Sequence, residues 1–355
     1  MPNLIETPDS ACILTLTSSA FNMSYPKLVN ETIIPSDILR AMLPTWRTLR
    51  FAERPVKISV LNDVYVAEEG LVFDAHGNLY AGSITQHAAA EIQNGYEKVR
   101  TTLRSGETTP VAGTVVLCKK RGAANFGHWL MEMLPKAYLV KLYLQGEDTR
   151  YLVPSVTGAL RDVVNDSLAM LNIPRAITIA SGNEVLSIGT LLLVEGLTEH
   201  GVYMSPLVMG GIDSLSARVP GTNIGKVFVT RPGNAARRLL NEEALVERAL
   251  ARGYILVDTA TMNLADQVKT FKNAHHVVGV MGAAMTNIAF APRGARITNL
   301  APAKMPDTFF WFIAGLRNQR YEEVRCAQSG SIQGVADWDR DMILQETDLD
   351  GIFEN

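Results

Sequence analysis

The chain has 355 residues, 47% of them hydrophobic and 19% charged, with a formal net charge of −3. That length suggests roughly two domains, and the near balance of 33 basic and 36 acidic residues excludes a whole-protein field for nucleic acid or an acidic membrane surface. No stretch reaches about 18 uninterrupted apolar residues, so no spanning helix is expected.

The opening MPNLIETPDSACILTLTSSAF has no basic stretch ahead of a long apolar run, and a soluble, cytoplasmic chain is expected. Residues 1–60 read as an N-terminal segment. Within it Ile34-Pro35-Ser36-Asp37 begins a short helix that Pro44 should stop. Then Val64–Ala67, Leu71–Phe73 and Asn78–Tyr80 are short β-rich runs divided by glycine turns, which predicts a meander leading into the first domain. Cys12, Cys118 and Cys326 lie far apart, without CxxC or metal-ligand spacing, so reduced thiols are expected.

From Gly113 the pattern changes. Thr114–Cys118 is a continuous apolar run, as a strand buried on both faces should be. The turn Lys120-Arg121-Gly122-Ala123 leads into a helix from Phe126 to Leu144. Arg150–Pro154 and Val185–Val194 read as strands around a helix from Leu160 to Leu171. After a glycine- and proline-containing linker near 216–225 the alternation begins again. Strands at Lys226–Thr230, Tyr254–Val257, His276–Val280 and Ala295–Leu300 alternate with helices from Asn241, which should act as N-cap, from Leu264 and from Ala283. The fold class is α/β, with strands alternating with helices in parallel sheets.

Three segments carry candidate chemistry. Gly279-Val280-Met281-Gly282-Ala283-Ala284-Met285-Thr286-Asn287 leaves a buried strand and opens a helix, where small residues let an anion reach backbone N–H groups; the same small residues would also serve tight strand–helix packing. Thr230–Arg238 likewise leaves a strand end and carries Arg231, Arg237 and Arg238, suited to bidentate phosphate contacts, or to a solvated basic surface. If these loops sit at neighbouring strand ends they converge on one diphosphate. In Asn125–Lys136, His128 and Glu132 stand one helical turn apart, as a base and its orienting partner would; Glu132 with Lys136 is an equally good ion pair. Pro135 should kink or restart that helix. His275 and His276 read as edge structure, His200 as a residue that could border an acceptor site, and Asp337-Trp338-Asp339 as a solvated cap.

Taken in order, Asn125-Phe126-Gly127-His128-Trp129-Leu130-Met131-Glu132-Met133-Leu134-Pro135, then Thr230-Arg231 with Arg237–Glu242, then Gly279–Asn287 with Phe290, Pro292 and Gly294, resemble glycosyltransferase family 61, the group with the domain formerly called unknown-function 563. The resemblance implies two Rossmann-like doubly wound domains facing a cleft (GT-B type), with a β-rich N-terminal segment. On that reading residues 61–220 form the acceptor domain, 221–326 the nucleotide-sugar domain, and 327–355 a tail packing back on the first. It implies inverting transfer of a sugar from a nucleotide-diphosphate donor, a UDP-sugar first among them, to a glycan or other hydroxyl acceptor, in surface or secreted polysaccharide synthesis. It assigns His128 and Glu132 to catalysis, with either as the base. Asn125, Arg231, Arg237, Arg238, Gly282, Ala283, Ala284 and Asn287 go to the donor, with no metal and no cofactor beyond the nucleotide sugar. The chain departs from the pattern at Met281, where members often have His, and at Asn299, where an acidic residue is common. Two other readings stay open. One is a nucleotide-sugar epimerase or dehydrogenase, for which no GxGxxG fingerprint is found; the other is a non-catalytic carbohydrate- or nucleotide-binding protein on the same scaffold.

Overall fold

The computed structural model describes residues 1–144, 146, 148–173, 176–178, 184–231, 236–328, 330 and 333–353. The chain divides into two compact units, residues 1–20 with 52–214 and residues 21–51 with 215–355. Residues 1–60, expected as one N-terminal segment, are therefore shared between the units. No helix among the described residues is long and apolar enough to cross a membrane.

In the first unit the long strand β1 (Arg54–Ala67) is followed by β2 (Thr109–Leu117), β3 (Thr149–Val153) and β4 (Leu186–Glu195). β4 runs parallel to β2 and antiparallel to β1, and β2 runs parallel to β3. β1 also pairs antiparallel with Leu71–Phe73, which pairs with Leu79–Tyr80. The meander expected to lead into the domain is thus the antiparallel half of one mixed sheet, and β4 is the seam that joins it to the parallel half. Val115, Leu117, Leu152, Ile188 and Leu191 are buried together at that seam. Burial on both faces explains why these strands read as unbroken apolar runs.

The second unit is built on β5 (Lys226–Val229), β6 (Ile255–Val257), β7 (His276–Val280), β8 (Arg296–Pro302) and β9 (Arg320–Gln328). Their spatial order is β6-β5-β7-β8-β9, all parallel. In this order the winding reverses between β5 and β7, and in open α/β sheets a ligand crevice forms beyond the strand ends at such a reversal. His276 stands on central strand β7 and is buried, so it is not the edge residue the sequence suggested. Its ring bonds to the hydroxyls of Tyr254 and Thr298.

Three sequence readings are corrected here. The helix Ser36–Arg47 runs through Pro44. Met42 and Trp46, on either side of Pro44, are both buried, and that packing outweighs the one backbone bond a proline removes. The tail, expected on the first domain, joins the second unit: Met342–Ile343 pairs antiparallel with β9. Met342, Leu344, Leu349, Ile352 and Phe353 enter the core around Phe228, Leu245 and Val278. Asn241 stands at the helix start but makes no side-chain cap bond. Its amide instead donates to Leu344 O at 2.9 Å and accepts from Leu344 N at 3.1 Å, pinning that tail.

Candidate active site

In the first unit β2 and β4 are parallel neighbours, so the loops leaving their C-terminal ends lie side by side. The loop after β2 carries Lys120, and two of its N–H groups, those of Gly122 and Ala123, donate to the Glu69 carboxylate at 2.8 and 3.2 Å. Gly70 belongs to the same arrangement: it has φ +98°, and a Cβ there would lie 2.5 Å from Lys119 O. After β4 a hairpin of Thr198–Glu199 and Tyr203–Met204 holds His200 at its tip. Its Tyr203 hydroxyl is anchored by a 2.5 Å bond to Ser18 Oγ.

Between these loops comes the segment from Phe126. Asn125 is its N-cap, accepting from Gly127 N at 2.8 Å and His128 N at 3.3 Å, as the sequence pattern of a cap requires. Asn125 thus serves the helix in the first unit, where the resemblance assigned it to the donor. The helix is not uniform. Trp129–Met133 is a π-turn, and Leu134 N closes on Trp129 O five residues back, before a regular helix Leu134–Leu144. Pro135 has no N–H to continue the ordinary pattern, and the wider turn absorbs the change of register. Trp129, fully buried, ties the turn down by donating to Ser167 Oγ at 2.9 Å.

These elements meet at Glu132, which is 1% exposed. Its Oε2 accepts from Lys120 Nζ at 2.7 Å and is bonded to His128 Nδ1; its Oε1 faces His200 Nδ1 at 3.3 Å. The two imidazole rings lie 4.9 Å apart, centroid to centroid. Burial by itself would raise the Glu132 pKa. The hydrogen bonds from His128 and His200 and the charge of Lys120 more than offset this, holding the carboxyl well below the usual carboxylate range. The alternative pair of Glu132 with Lys136 is not made among the described residues. The acidic residue is used instead by three partners, of which Lys120 and His200 come from outside its helix. His128, Glu132 and His200 also have the composition and spacing to hold a metal ion, their ligand atoms lying within 4.8 Å of one another. The Lys120 ammonium on the same carboxylate opposes a cation there.

In the second unit the loops after β5 and β7 do converge. Arg231 Nη1 donates to Met281 O at 3.3 Å, and Nε to Ala236 O at 2.6 Å. Burial, reinforced by the charge of Arg237, lowers the Arg231 pKa to about 10. Arg237 adopts φ +62° and pairs with Asp339 at 3.6 Å. Residues 232–235, part of the same proposed loop, lie outside the described residues. Arg238 is taken by a fork of bonds to Asp341, Nε at 3.1 and 3.0 Å with Nη2 on Oδ2, so the tail competes with any phosphate for it. The tail residues read as a solvated cap are in use too: Asp337 pairs with Lys304 and Arg340, and Asp339 with Arg237.

Gly282 is buried while Ala283 and Ala284 are half-buried at the start of the 3-10 helix Ala283–Phe290. Asn287 is fully buried and donates to Gln267 Oε1 at 2.8 Å and Ala284 O at 3.0 Å. Through these bonds it holds the loop from behind, while its Oδ1 has no hydrogen-bond partner. Met281 is likewise buried. At the other departure from the family pattern, Asn299 donates to the Tyr321 hydroxyl at 2.9 Å, which donates to Glu323 at 2.6 Å. A neutral amide suits that position because Glu323 already supplies the charge paired with Arg325. A cavity of about 800 Å³ in this unit is lined by Tyr25, Arg296, Trp311 and Arg320. Arg296 and Arg320 are the first residues of β8 and β9, so it lies at the wrong end of the sheet for a strand-end ligand.

Sequence reasoning weighed His200 only as a border residue and saw Lys120 only as part of a turn. His200 is 68 positions from Glu132; its histidine at a strand end before a glycine was the available signal. The fold is thus α/β, with a buried histidine–carboxylate cluster in one unit and arginines and small residues at the winding reversal in the other. Residues 126–298 match the family Glycosyltransferase 61. This match covers just under half of the chain and supports a glycosyltransferase. No curated protein matches it.

Proposed function

We propose an inverting, metal-independent glycosyltransferase of GT-B type that moves a sugar from a UDP-sugar to a glycan hydroxyl in polysaccharide synthesis. The carrying observation is Glu132, a buried carboxylate that accepts from Lys120 and faces two imidazole Nδ1 atoms. A carboxylate held so low is a poor base and a strong orienting group. With Nδ1–H directed at it, a neutral imidazole presents Nε2 as proton acceptor, and the imidazolium that forms is stabilised by the carboxylate. Of the two rings, His200 lines a cavity of about 450 Å³ in the first unit, and we assign it the proton, with His128 completing the cluster.

In the step, the acceptor oxygen attacks the anomeric carbon from the side opposite the diphosphate. The new C–O bond forms as the bond to the diphosphate breaks, the electron pair leaves on the diphosphate, and the acceptor proton passes to His200 Nε2. Arg231, Arg237 and the N–H groups of Gly282 to Ala284 neutralise the leaving group. Metal independence is supported by Lys120, which supplies the positive charge at Glu132 that a cation would otherwise bring.

The test is a screen of sugar nucleotides for turnover, with product stereochemistry and with chelator. One UDP-sugar turned over with inversion, unaffected by chelator, is the expected result. Loss of turnover on chelation, restored by a divalent ion, would overturn metal independence and place the ion at His128, Glu132 and His200. Nucleoside diphosphate binding without turnover of any donor would leave a non-catalytic binding protein.

A further inference from the structure

The cavity beside His200 holds a group that the transfer step does not use. It is lined by Gln86, Lys120, Lys136, Glu195, Glu199 and His200. Lys136 is 8% exposed, and among the described residues its ammonium has no hydrogen-bond or ion-pair acceptor. Lys120, by contrast, is fully engaged, donating to Glu132 at 2.7 Å and Gln86 at 3.2 Å. Burying an ammonium without an acceptor is unfavourable, and here the cost is visible: desolvation, and next the charge of Lys120, lower the Lys136 pKa. An anion entering the cavity would relieve it.

We propose that this cavity is an acceptor subsite in which Lys136 recognises a carboxylate, so that the acceptor is an acidic glycan ending in a uronate. A singly charged carboxylate fits better than a phosphate, because Glu195 and Glu199 border the same space and would oppose a second negative charge. Glu195 is packed close, on Gly82, where a Cβ would meet its Oε1 at 1.7 Å. The reading of the occupant as acceptor rests on the glycosyltransferase mechanism above; the anion preference does not.

The experiment is calorimetric titration of the full chain at pH 7 with a glucuronate-ended disaccharide, its glucose-ended counterpart, and inorganic phosphate. One charge-assisted hydrogen bond predicts roughly tenfold or greater preference for the glucuronate-ended sugar over the neutral one, with phosphate binding more weakly than the glucuronate-ended sugar. Lys136→Met should bring the two sugars to equal affinity. Should that variant misfold by melting, amine labelling of the unaltered protein read by mass spectrometry takes its place, with glucuronate expected to protect Lys136. Equal binding of the two sugars, a preference that survives Lys136→Met, or absence of protection overturns the proposal, and tighter binding of phosphate overturns the carboxylate assignment. Failure of the enzymatic reading is separate: it shows as no donor turnover while the acid preference persists.

Discussion

The Arg231 guanidinium fills the space that a side chain on Gly282 would need, for a Cβ there would lie 2.0 Å from Nη1. Gly282 has extended backbone, so its small size, and not an unusual backbone angle, is what the site uses. The two loops at the winding reversal are thereby locked into one surface. Gly282→Ala should push the arginine away while leaving the sheet intact, because the far end of a long side chain moves more easily than backbone. A lost charged hydrogen bond is worth about 1.5–3 kcal/mol, so UDP binding by calorimetry should weaken roughly tenfold or more, as in Arg231→Lys. Unchanged affinity would sink the diphosphate assignment.

The arginines in this loop should not be equivalent. Arg238 is exposed and committed to Asp341, and exposed pairs contribute only about 0–1 kcal/mol. Arg238→Ala should change UDP affinity by less than about threefold, whereas Arg237→Ala should cost about tenfold or more. The reverse ranking would show that Asp341 releases Arg238 to the ligand.

Glu132→Gln tests the cluster in two ways. It removes the orienting charge, and turnover should fall by about 10²–10⁴-fold, as it should for His200→Ala. It also strands Lys120, 3% exposed, without its counter-ion, which predicts destabilisation of about 3–5 kcal/mol. Combining it with Lys120→Met should recover much of the stability, read by urea denaturation, and none of the turnover. Turnover that returned with stability would make the cluster purely structural.

His276 provides a pH signature for the second unit. Burial, then repulsion from Arg296, lowers its pKa from 6.5 to about 3. Between those values the unfolded chain binds a proton that the folded chain refuses, so stability must fall as pH drops through that window and the contribution levels off below it. The slope for one proton is about 1.4 kcal/mol per pH unit. His276→Gln should flatten the acid limb of the denaturation profile between pH 6 and 4 on the order of that amount. A profile identical to that of the unaltered chain would mean that His276 charges in place.

The second unit was the more legible half. His276–Val280 and Arg296–Pro302 are buried along almost their whole length, and apolar runs divided by short helices leave few alternatives to a parallel sheet. The first unit was harder, because a strand buried on both faces reads alike in a parallel or an antiparallel setting. The antiparallel pairing of β1 with β4 joins residues from Lys57 to Glu195, and no local pattern announces it. The π-turn was invisible for another reason: Pro135 announces a disturbance but not whether the helix kinks, restarts or widens. The structural bonds of Asn125 and Asn287 were equally hidden, because a polar residue in a motif looks alike whether it faces a substrate or holds a loop.

By itself the sequence determined the elements, the three motifs and the one-turn spacing of His128 and Glu132, since these depend on neighbours within a few positions. Tertiary structure decided what each polar group meets. It brought Lys120 and His200 to Glu132 through adjacent strand ends, gave Arg238 to Asp341, and buried Lys136 without a partner. Charge pairing acts through space, over a few ångströms, and only the folded chain sets which residues come that close.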